Sequence, residues 1–285
     1  MLTPMTSMEL TCLAPWAYGL AMQAAHASYP TFRDGIKTRE RFLRAARMAL
    51  AGDREEALLF THEGRHCGWI QWYWRPEERY AATSAFLTEA HAEEALAELT
   101  ARVAAVCPGA QLDVGLDGDN EEAIAACRTQ GFSLVESSVN HTFLFTEASP
   151  CDVPAQVSPL READWPDFRR LHNDPDMYWT ADRILAAGAD WQNDLFRRDG
   201  RAVAALSCQA GGWPEIFSVD FAEGRFDLEA YCGLLAACLR ETWAAGAAHL
   251  TFFEDREEAL PILAELGFAR VGRYVLFRKQ IGKGE

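Results

Sequence analysis

The sequence predicts two α/β domains of the same architecture, arranged in tandem. Residues 119–132 read DNEEAIAACRTQGF and residues 255–268 read DREEALPILAELGF, so six of fourteen positions are identical at an offset of 136 residues. A second pair, LFTHEGR at 59–65 and LFRRDGR at 195–201, matches at the same offset. Two separate matches at one offset indicate that a whole domain was duplicated. A chain of 285 residues is also long enough for two cores.

The first copy is predicted to span residues 1–146 and to mix strands with helices. Apolar runs around a Glu-Gly turn are typical of a hairpin, and Pro108-Gly109 ends a segment with helical spacing. Asp119 is predicted to cap the helix that follows, with Gly131 just past its end. In order, the expected elements are a hairpin (56–74), a strand (80–87), a helix (90–106), a strand (110–116), a helix (119–130) and a closing hairpin (132–145).

The second copy, residues 156–285, repeats this order after a linker at 147–155. The linker contains two prolines, Pro150 and Pro154, and lacks periodicity. Its expected elements are a strand (155–161), a helix (162–173), a hairpin (194–209), a strand (215–221), a long helix (227–246), a strand (247–253), a helix (255–266) and a closing segment (268–280). The resulting fold class is α/β (α+β), with a mixed, mostly antiparallel sheet flanked by helices in each domain.

The composition excludes several classes of protein. A hydrophobic content of 49% is typical of a globular chain, and no apolar run is long enough for a membrane span. The N-terminal residues lack the pattern of a secretory signal, and the eight cysteines form no C-x-x-C, so we expect reduced thiols in a cytoplasmic protein. The net charge of −15 disfavours nucleic acid and anionic membranes as partners.

The repeated corner carries a resemblance to a known family. Asn120, Ala123, Gly131 and Phe132 form an N-x-x-A…G-F pattern at the helix–strand corner of the first copy. In the second copy, Arg256 stands where the asparagine is expected. Together with the order of elements, this pattern resembles the GNAT (GCN5-related) N-acetyltransferase superfamily. The resemblance covers nearly the whole of both halves and implies a tandem, two-domain member.

The resemblance implies that acetyl-CoA is the cosubstrate, held by an R/Q-x-x-G-x-G/A loop before the third helix. Glycines there let backbone amides approach the pyrophosphate at the helix N-terminus. Neither half has this loop: residues 88–95 read TEAHAEEA and residues 226–231 read FDLEAY. Gly224 and Arg225 offer an alternative cradle in the second half, and Asn120 is the family-matching residue in the first.

The resemblance also implies an acid, a base and a pair of oxyanion donors. A tyrosine often lies four residues before the glycine of G-F, where this chain has Cys127 and Leu263. Cys127 or Tyr231 is therefore the candidate acid, and core packing is the preferred alternative explanation for both residues. Glu215, at the start of the fourth strand of the second half, is the candidate base, and its alternative is a solvated strand end. The backbone of Ser218 and Val219 would stabilise the oxyanion.

The function implied is acetyl-CoA-dependent N-acylation of a small amine by a monomer or homodimer. Acceptor specificity in the family depends on the segment around the first two helices, which is aromatic here (SYPTF, 28–32). Aromatic residues are equally typical of an interface. The alternative function is that of a catalytically degenerate GNAT-fold protein that serves as a ligand-binding or scaffold module, which the missing glycines favour.

One further motif matches a metal-binding pattern but lies in the wrong structural context. Residues 62–66 read HEGRH and fit H-E-x-x-H, a pattern of zinc peptidases. That chemistry needs a helix, so that both histidines face one metal ion. Gly64 lies between two strand-like runs, and the repeat partner RRDGR lacks both histidines. We therefore expect a hairpin turn here and no metal site.

Overall fold

The computed structural model describes residues 1–145, 152–173 and 177–282. The chain forms two compact units, one of Met1–Asn140 together with the C-terminal residues from Val271 onward, and the other of His141–Arg270. Most of the predicted linker at 147–155 lies outside the described residues, so the domain boundaries at 146 and 156 stay predictions.

The first unit contains most of the elements that were predicted for the first copy. They are β1 (Leu2–Pro4), α1 (Ser7–Ala21), α2 (Arg39–Ala51), β2 (Glu55–His62), β3 (Arg65–Arg75), β4 (Tyr80–Thr88), α3 (Ala92–Val106), β5 (Gln111–Asp117), α4 (Glu121–Thr129) and the first part of β6 (Ser133–Leu144).

The second unit repeats much of this order. It contains the end of β6, followed by β7 (Val157–Pro159), α5 (Trp165–Leu171), α6 (Ala181–Ala187), β8 (Trp191–Arg198), β9 (Arg201–Gln209), β10 (Glu215–Phe221), α7 (Leu228–Ala244), β11 (His249–Glu254), α8 (Leu260–Glu265) and the start of β12 (Ala269–Gln280). Helix α8, the counterpart of α4 in this copy, is only six residues long. Pro261 occupies its first turn, the position that proline prefers, so the helix begins later than the sequence pattern predicts.

Each unit is built on a mixed sheet that includes a parallel pair. In the first unit the strand order is β1-β2-β3-β4-β5-β12-β6, and in the second it is β6-β11-β10-β9-β8-β7. The pairs β4–β5 and β10–β11 are parallel, whereas the neighbouring pairs β3–β4 and β9–β10 are antiparallel. This arrangement confirms the predicted mixed, mostly antiparallel sheet.

Both faces of the first sheet are covered by helices. Leu58 and Phe60 of β2 pack in a core with α3 and α4, whereas the alternate residues Ala57 and Leu59 pack in a core with α1 and α2. Successive side chains of a strand point to opposite faces, which explains the near-continuous apolar run in β2. The second unit is built in the same way, with α7 and α8 on one face and α5 and α6 on the other.

The first unit takes an interior strand of its sheet, β12, from the C-terminal part of the sequence. Residues Tyr274 to Gln280 of β12 pair antiparallel with β5, from Tyr274↔Asp117 to Gln280↔Gln111. The expectation of a closing hairpin at the end of the first copy is therefore wrong, since residues 133–144 form one uninterrupted strand. That strand contains no glycine or proline that would reverse it. In β12, Gly272 instead permits close approach, because a Cβ there would lie 2.8 Å from Cβ of Pro30.

A buried ion pair fixes the register of this exchanged strand. Arg278 lies directly opposite Asp113 and donates from Nε to Oδ1 and from Nη2 to Oδ2, both at 2.9 Å. The side chain of Asp113 is only 4% exposed. A one-residue slip of β12 would separate the two charges and turn every side chain to the opposite face.

The N-terminus of α4 differs by one residue from the sequence prediction. Asn120, and not Asp119, is the N-cap, and its Oδ1 accepts a hydrogen bond from the Ala123 amide at 3.2 Å. Asp119 is exposed. Gly131 follows the helix with a φ of +77°, as predicted for a left-handed residue at that end.

Replacing Asn120 with alanine is expected to lower the free energy of unfolding by about 1–2 kcal/mol, the usual value of an N-cap. The matched control is Asp119→Ala, which removes the carboxylate predicted from the sequence and should change stability by less than about 0.5 kcal/mol. Urea unfolding followed by circular dichroism measures both changes. A larger loss for Asp119→Ala than for Asn120→Ala would contradict this assignment of the cap.

Candidate active-site clefts

Each unit has a cleft where its two parallel strands part. Strand β4 pairs with β5 only from Tyr80 to Ala82, and a register shift in the β3–β4 pair follows at once. Strand β10 pairs with β11 only at Glu215 and Ile216, again just before a register shift. A bulge bends its strand away from the neighbour, so the backbone beyond it is open to other partners.

The chain's own residues 27–29 fill the cleft of the first unit. The Ser28 hydroxyl accepts a hydrogen bond from the Phe86 amide, and the Tyr29 hydroxyl donates to the carbonyl of Thr83 at 3.2 Å. Both partners lie on the open edge of β4. This segment is part of the aromatic stretch that the sequence associated with the acceptor or with an interface.

The same segment is anchored at the end of β5. The carbonyl of Ala27 accepts from the Asp117 amide at 3.1 Å and from Nδ2 of Asn120 at 3.1 Å. The Arg33 guanidinium forms an ion pair with the buried Asp117 carboxylate. Asn120, which the sequence assigned to the cofactor, therefore holds this segment and caps α4.

Two phenol groups converge beside Gly115 on β5. The rings of Tyr29 and Tyr274 are stacked with centroids 5.2 Å apart. A Cβ on Gly115 would lie 2.6 Å from Oη of Tyr274 and 3.0 Å from Oη of Tyr29, so the two hydroxyls need a residue without a side chain there. Burial raises the pKa of Tyr274 well above its usual value, so this phenol stays protonated at neutral pH.

The N-terminus of α3 is occupied by a carboxylate. Oε1 of Glu122 accepts a hydrogen bond from the Ala92 amide at 3.1 Å. In GNAT proteins this end of the helix is where the resemblance puts the pyrophosphate. A cavity of about 850 Å³ lies beside it, between α3 and α4. Its charged lining residues are Glu93, Glu94, Glu122 and Lys279, so carboxylates outnumber cations at the end where phosphates would lie.

The cleft of the second unit is filled by a charged group. Nη1 of Arg256 donates to the carbonyl of Val219 on β10 at 2.8 Å. Its Nε and Nη2 donate to the two oxygens of Glu254 at 2.8 and 2.5 Å. The guanidinium also lies over the rings of Phe221 and Tyr231. The side chain of Glu254 is 3% exposed, so this ion pair is largely buried.

Tyr231 and Glu215 do not come together. Tyr231 is fully buried in α7 and donates to Oε2 of Glu254 at 3.1 Å. Burial raises its pKa well above the usual range. Glu215 is half-buried and lies opposite Thr251 on β11, three residues before Glu254, a separation of roughly 10 Å along a strand. The candidate acid, Tyr231, therefore contacts the end of β11, whereas the candidate base, Glu215, lies beside an earlier residue of that strand.

The buried side chain of His172 contacts two residues of β10. Nδ1 of His172 lies 2.7 Å from Oδ2 of Asp220 and 3.2 Å from Oγ of Ser218, while its Nε2 lies 2.8 Å from the carbonyl of Trp179. A carbonyl accepts only from an N–H, which places a proton on Nε2. The serine and the aspartate contact the same ring nitrogen, whereas a nucleophilic triad needs them on opposite nitrogens. The Ser218 side chain thus belongs to a structural network, and the role of its backbone amide as an oxyanion donor stays a prediction.

The proposed glycine–arginine cradle is exposed and lies before a capped helix. Gly224 has a φ of +65°, and the side chain of Arg225 is 84% exposed, with Glu223 at 3.6 Å. At the N-terminus of α7, Asp227 accepts from the Ala230 amide at 3.1 Å. Arg198 donates to Asp227 at 2.6 Å, and this hydrogen bond lowers the pKa of the Asp227 carboxyl.

Cys127 lies in the core formed by α3, α4 and the sheet. Its thiol is almost fully buried, and burial raises its pKa to about 12. A group this weakly acidic and this inaccessible is typical of a small apolar residue, which favours the core-packing alternative that the sequence had left open. The seven cysteines within the described part of the chain are all free thiols.

Several features of these clefts carry only weak sequence signals. One such signal is Arg256, which stands where the first copy has Asn120. An arginine at this position indicates that the cleft of the second unit contains a different group from that of the first. The roles of Glu254 and His172 depend on contacts across the sheet, and no spacing along the chain indicates them. Among the described residues, no helix is both long and apolar enough to cross a membrane.

Comparison with known proteins gives matches at the level of structure alone. No protein-family model matches the sequence, and no curated protein matches it. A GCN5-related N-acetyltransferase from Sphaerobacter thermophilus is similar in structure, with a TM-score of 0.63 at 13% identity, over 100% of this chain and 96% of that one. A GCN5-related N-acetyltransferase from Kribbella flavida has a TM-score of 0.54 at 16% identity, over 83% of this chain and 94% of that one.

A tandem GNAT protein from the clavulanic acid biosynthesis pathway is also similar, with a TM-score of 0.55 at 11% identity, over 100% of this chain and 99% of that one. This match includes both units, and each unit has a parallel pair whose pairing ends where a register shift begins in the neighbouring antiparallel pair. The chain therefore has the fold of the GCN5-related N-acetyltransferases, the GNAT fold.

Proposed function

We propose that the chain transfers an acyl group from acetyl-CoA to the amino group of a small molecule, and that the first unit carries the reaction. The observation that carries this proposal is the cavity of about 850 Å³ between α3 and α4. It adjoins the loop at 89–91 that leads from β4 into α3, where the resemblance puts the cosubstrate. The fold and the structural relatives support the same class of reaction.

The contents of the two clefts favour the first unit. The groups on the open edge of β4 are the neutral hydroxyls of Ser28 and Tyr29. The group on the open edge of β10 is the guanidinium of Arg256, paired with a buried carboxylate. Separating a buried ion pair costs several kcal/mol, whereas exchanging one neutral hydrogen bond for another costs little. The first cleft is thus the easier one to open to a ligand, although Ala27 must also exchange its two neutral hydrogen bonds at the end of β5.

The residues of the first cleft fit part of the cosubstrate. The open edge of β4 offers the Phe86 amide and the Thr83 carbonyl to an extended polar chain, once residues 27–29 withdraw. Tyr274 stays protonated at neutral pH and can donate a hydrogen bond to a departing thiolate. The acidic end of the cavity does not match a pyrophosphate, so Glu122 must turn away from the Ala92 amide before phosphates can bind there.

The acceptor is expected to be a cation before it reacts. The chain carries a net charge of −15, and glutamates line the cavity. An acidic surface attracts protonated amines and raises their local concentration. A small primary amine or an amino-group compound is therefore the class of acceptor that we propose, in a reaction that forms a C–N bond and breaks a C–S bond.

The second candidate is a GNAT-fold protein that binds a ligand without catalysis. The hydrogen bond from the Ala92 amide to Glu122 favours it, because a carboxylate then permanently replaces the phosphate at α3. In that case the segment at 27–29 is a fixed part of the core. The two candidates differ in whether acetyl-CoA binds at all.

Replacing Glu122 with glutamine is expected to raise the affinity for acetyl-CoA about tenfold. The change removes a negative charge from the phosphate end of the cavity and leaves the positive end of the helix dipole without a compensating charge, effects of about 1 kcal/mol each at most. The glutamine oxygen can still accept from the Ala92 amide. Isothermal titration calorimetry measures the affinity. The matched control is Glu121→Gln, which removes the same charge from the same turn of α4 without touching the Ala92 amide, and it should change the affinity less than threefold.

Steady-state assays that detect free thiol, with a panel of primary amines, complete this test. Turnover by the wild type that is lost in Tyr274→Phe supports the proposed reaction. If neither the wild type nor Glu122→Gln binds acetyl-CoA at millimolar concentration, the acyltransferase proposal fails and the ligand-binding alternative stands.

A further inference from the structure

Two histidines and a glutamate from separate elements meet at one end of the first unit. His62 is the last residue of β2, His91 immediately precedes α3, and Glu94 lies in the first turn of α3. One ligand atom from each residue lies within 4.8 Å of those of the other two. The Nδ1 atom of His62 is 2.9 Å from Oε2 of Glu94, and Nδ1 of His91 is 3.5 Å from Oε1.

These distances suit a tetrahedral metal ion. Zinc bonds to imidazole nitrogen and carboxylate oxygen are about 2.0–2.1 Å long, so two ligand atoms of a tetrahedral site are about 3.3 Å apart. The His62–Glu94 and His91–Glu94 separations of 2.9 and 3.5 Å lie on either side of that value, but they run to different carboxylate oxygens. The carboxylate of Glu94 therefore has to bind with both oxygens or turn to present one oxygen to both rings. Two neutral imidazoles and one carboxylate also form a common ligand set for zinc and for related divalent ions.

The backbone of His91 supports the convergence of the two rings. His91 has a φ of 61° and a ψ of 38°, a left-handed conformation that costs roughly 1–2 kcal/mol for a residue other than glycine. Its side chain makes no capping hydrogen bond with α3. Instead its ring is stacked on that of His62, with centroids 3.7 Å apart and an interplanar angle of 15°. The lone pairs of an imidazole lie in the ring plane, so one ring must turn about its side-chain torsions before both rings can bind the same ion.

We propose that His62, His91 and Glu94 bind one divalent transition-metal ion of the zinc type. Three protein ligands leave a fourth position for water or for an anionic oxygen. His91 and Glu94 also line the cavity between α3 and α4, so a ligand in that cavity can reach the open position. The site does not depend on acyl transfer.

The proposed site differs from the H-E-x-x-H motif that the sequence contains. His62 belongs to both, but His66 lies on β3 and its Nδ1 is 3.2 Å from Oγ1 of Thr61. Residues 62–66 form a hairpin turn, as predicted, so the helix that the motif requires is absent from this segment. The partners of His62 come instead from the start of α3, about thirty residues further along the chain.

The test is zinc binding by the full-length chain without a polyhistidine tag, after treatment with a chelator. Elemental analysis after equilibrium dialysis gives the stoichiometry, and competition with a chromophoric chelator gives the affinity. We expect one zinc ion per chain. Loss of one ligand in His62→Ala, His91→Ala or Glu94→Gln should weaken binding by at least about 100-fold, because the loss of an outer-shell partner alone costs about 10–100-fold.

His66→Ala is the matched control, since it removes a histidine of the motif but no ligand of the proposed site. It should bind zinc like the wild type, and thermal unfolding without metal shows that each variant is folded. A spectrum of the cobalt-loaded protein should lack a thiolate charge-transfer band. Unchanged binding in the three ligand variants, an equal loss in His66→Ala, a thiolate band or no binding by the wild type would each overturn the proposal.

Discussion

Replacing Arg278 with methionine is expected to lower the free energy of unfolding of the protein by about 3 kcal/mol. The substitution removes the cation that pairs with the buried Asp113 carboxylate and leaves it with the longer hydrogen bonds from Tyr80 and Gln111. Breaking a buried ion pair in this way costs about 3–5 kcal/mol. We take the lower end because the Arg278 side chain is 20% exposed. Urea unfolding measures the loss, and hydrogen exchange should show faster opening of residues 274–280 in particular.

Two further variants separate the charge from the geometry. Arg278→Lys keeps the charge but not the two parallel hydrogen bonds, so it should recover part of the loss. The double variant Arg278→Met with Asp113→Asn removes both charges and should be more stable than Arg278→Met alone. If the double variant is less stable than Arg278→Met, the unpaired carboxylate is not the cause of the loss.

Replacing Arg256 with leucine is expected to cost about 3 kcal/mol of stability in the second unit, for a related reason. Glu254 would lose two charge-assisted hydrogen bonds while 3% exposed, and the carbonyl of Val219 would lose its donor. A buried carbonyl without a partner adds a penalty of about 1–3 kcal/mol. Water that enters the opened cleft can bind this carbonyl and reduces the penalty. Thermal and urea unfolding both measure the change.

Glu254→Gln in the Arg256→Leu background tests the electrostatic explanation. Glutamine still accepts from the Tyr231 hydroxyl but carries no charge, so stability should recover in part. The comparison with Arg65→Ala, which breaks an exposed ion pair with Glu89, should show a change below about 1 kcal/mol. Equal losses for Arg256→Leu and Arg65→Ala would show that burial of the pair at β10 contributes nothing.

Most elements of the fold could be predicted from local patterns. The repeat predicted two copies of one architecture, and the hairpin around Gly64 and the helix ending before Pro108 lie where periodicity and turn residues put them. These features depend on residues close together in the chain. The exact cap of α4 could not be predicted, because Asp119 and Asn120 are equally good caps and the hydrogen bond from Asn120 to Ala27 decides between them.

The candidate sites were harder to predict because they depend on which elements meet. Tyr231 was correctly placed on the long helix, but only the structure shows that its hydroxyl is bonded to Glu254. Residues 27–29 follow no motif, and they lie on the open edge of β4 because Asp117 and Asn120 hold Ala27. His62 and His91 are about thirty residues apart, so no spacing rule for metal ligands would join them.

The position of β12 has a consequence for the order of events during translation. The first unit leaves the ribosome up to Asn140 while the residues that complete its sheet have not been made. The 130 residues from His141 to Arg270 take on the order of ten seconds to synthesise. Throughout that interval the inner edge of β5 has no neighbour, and a bare strand edge can pair with another nascent chain. The residues from Val271 onward therefore complete a sheet that was begun before the second unit was made.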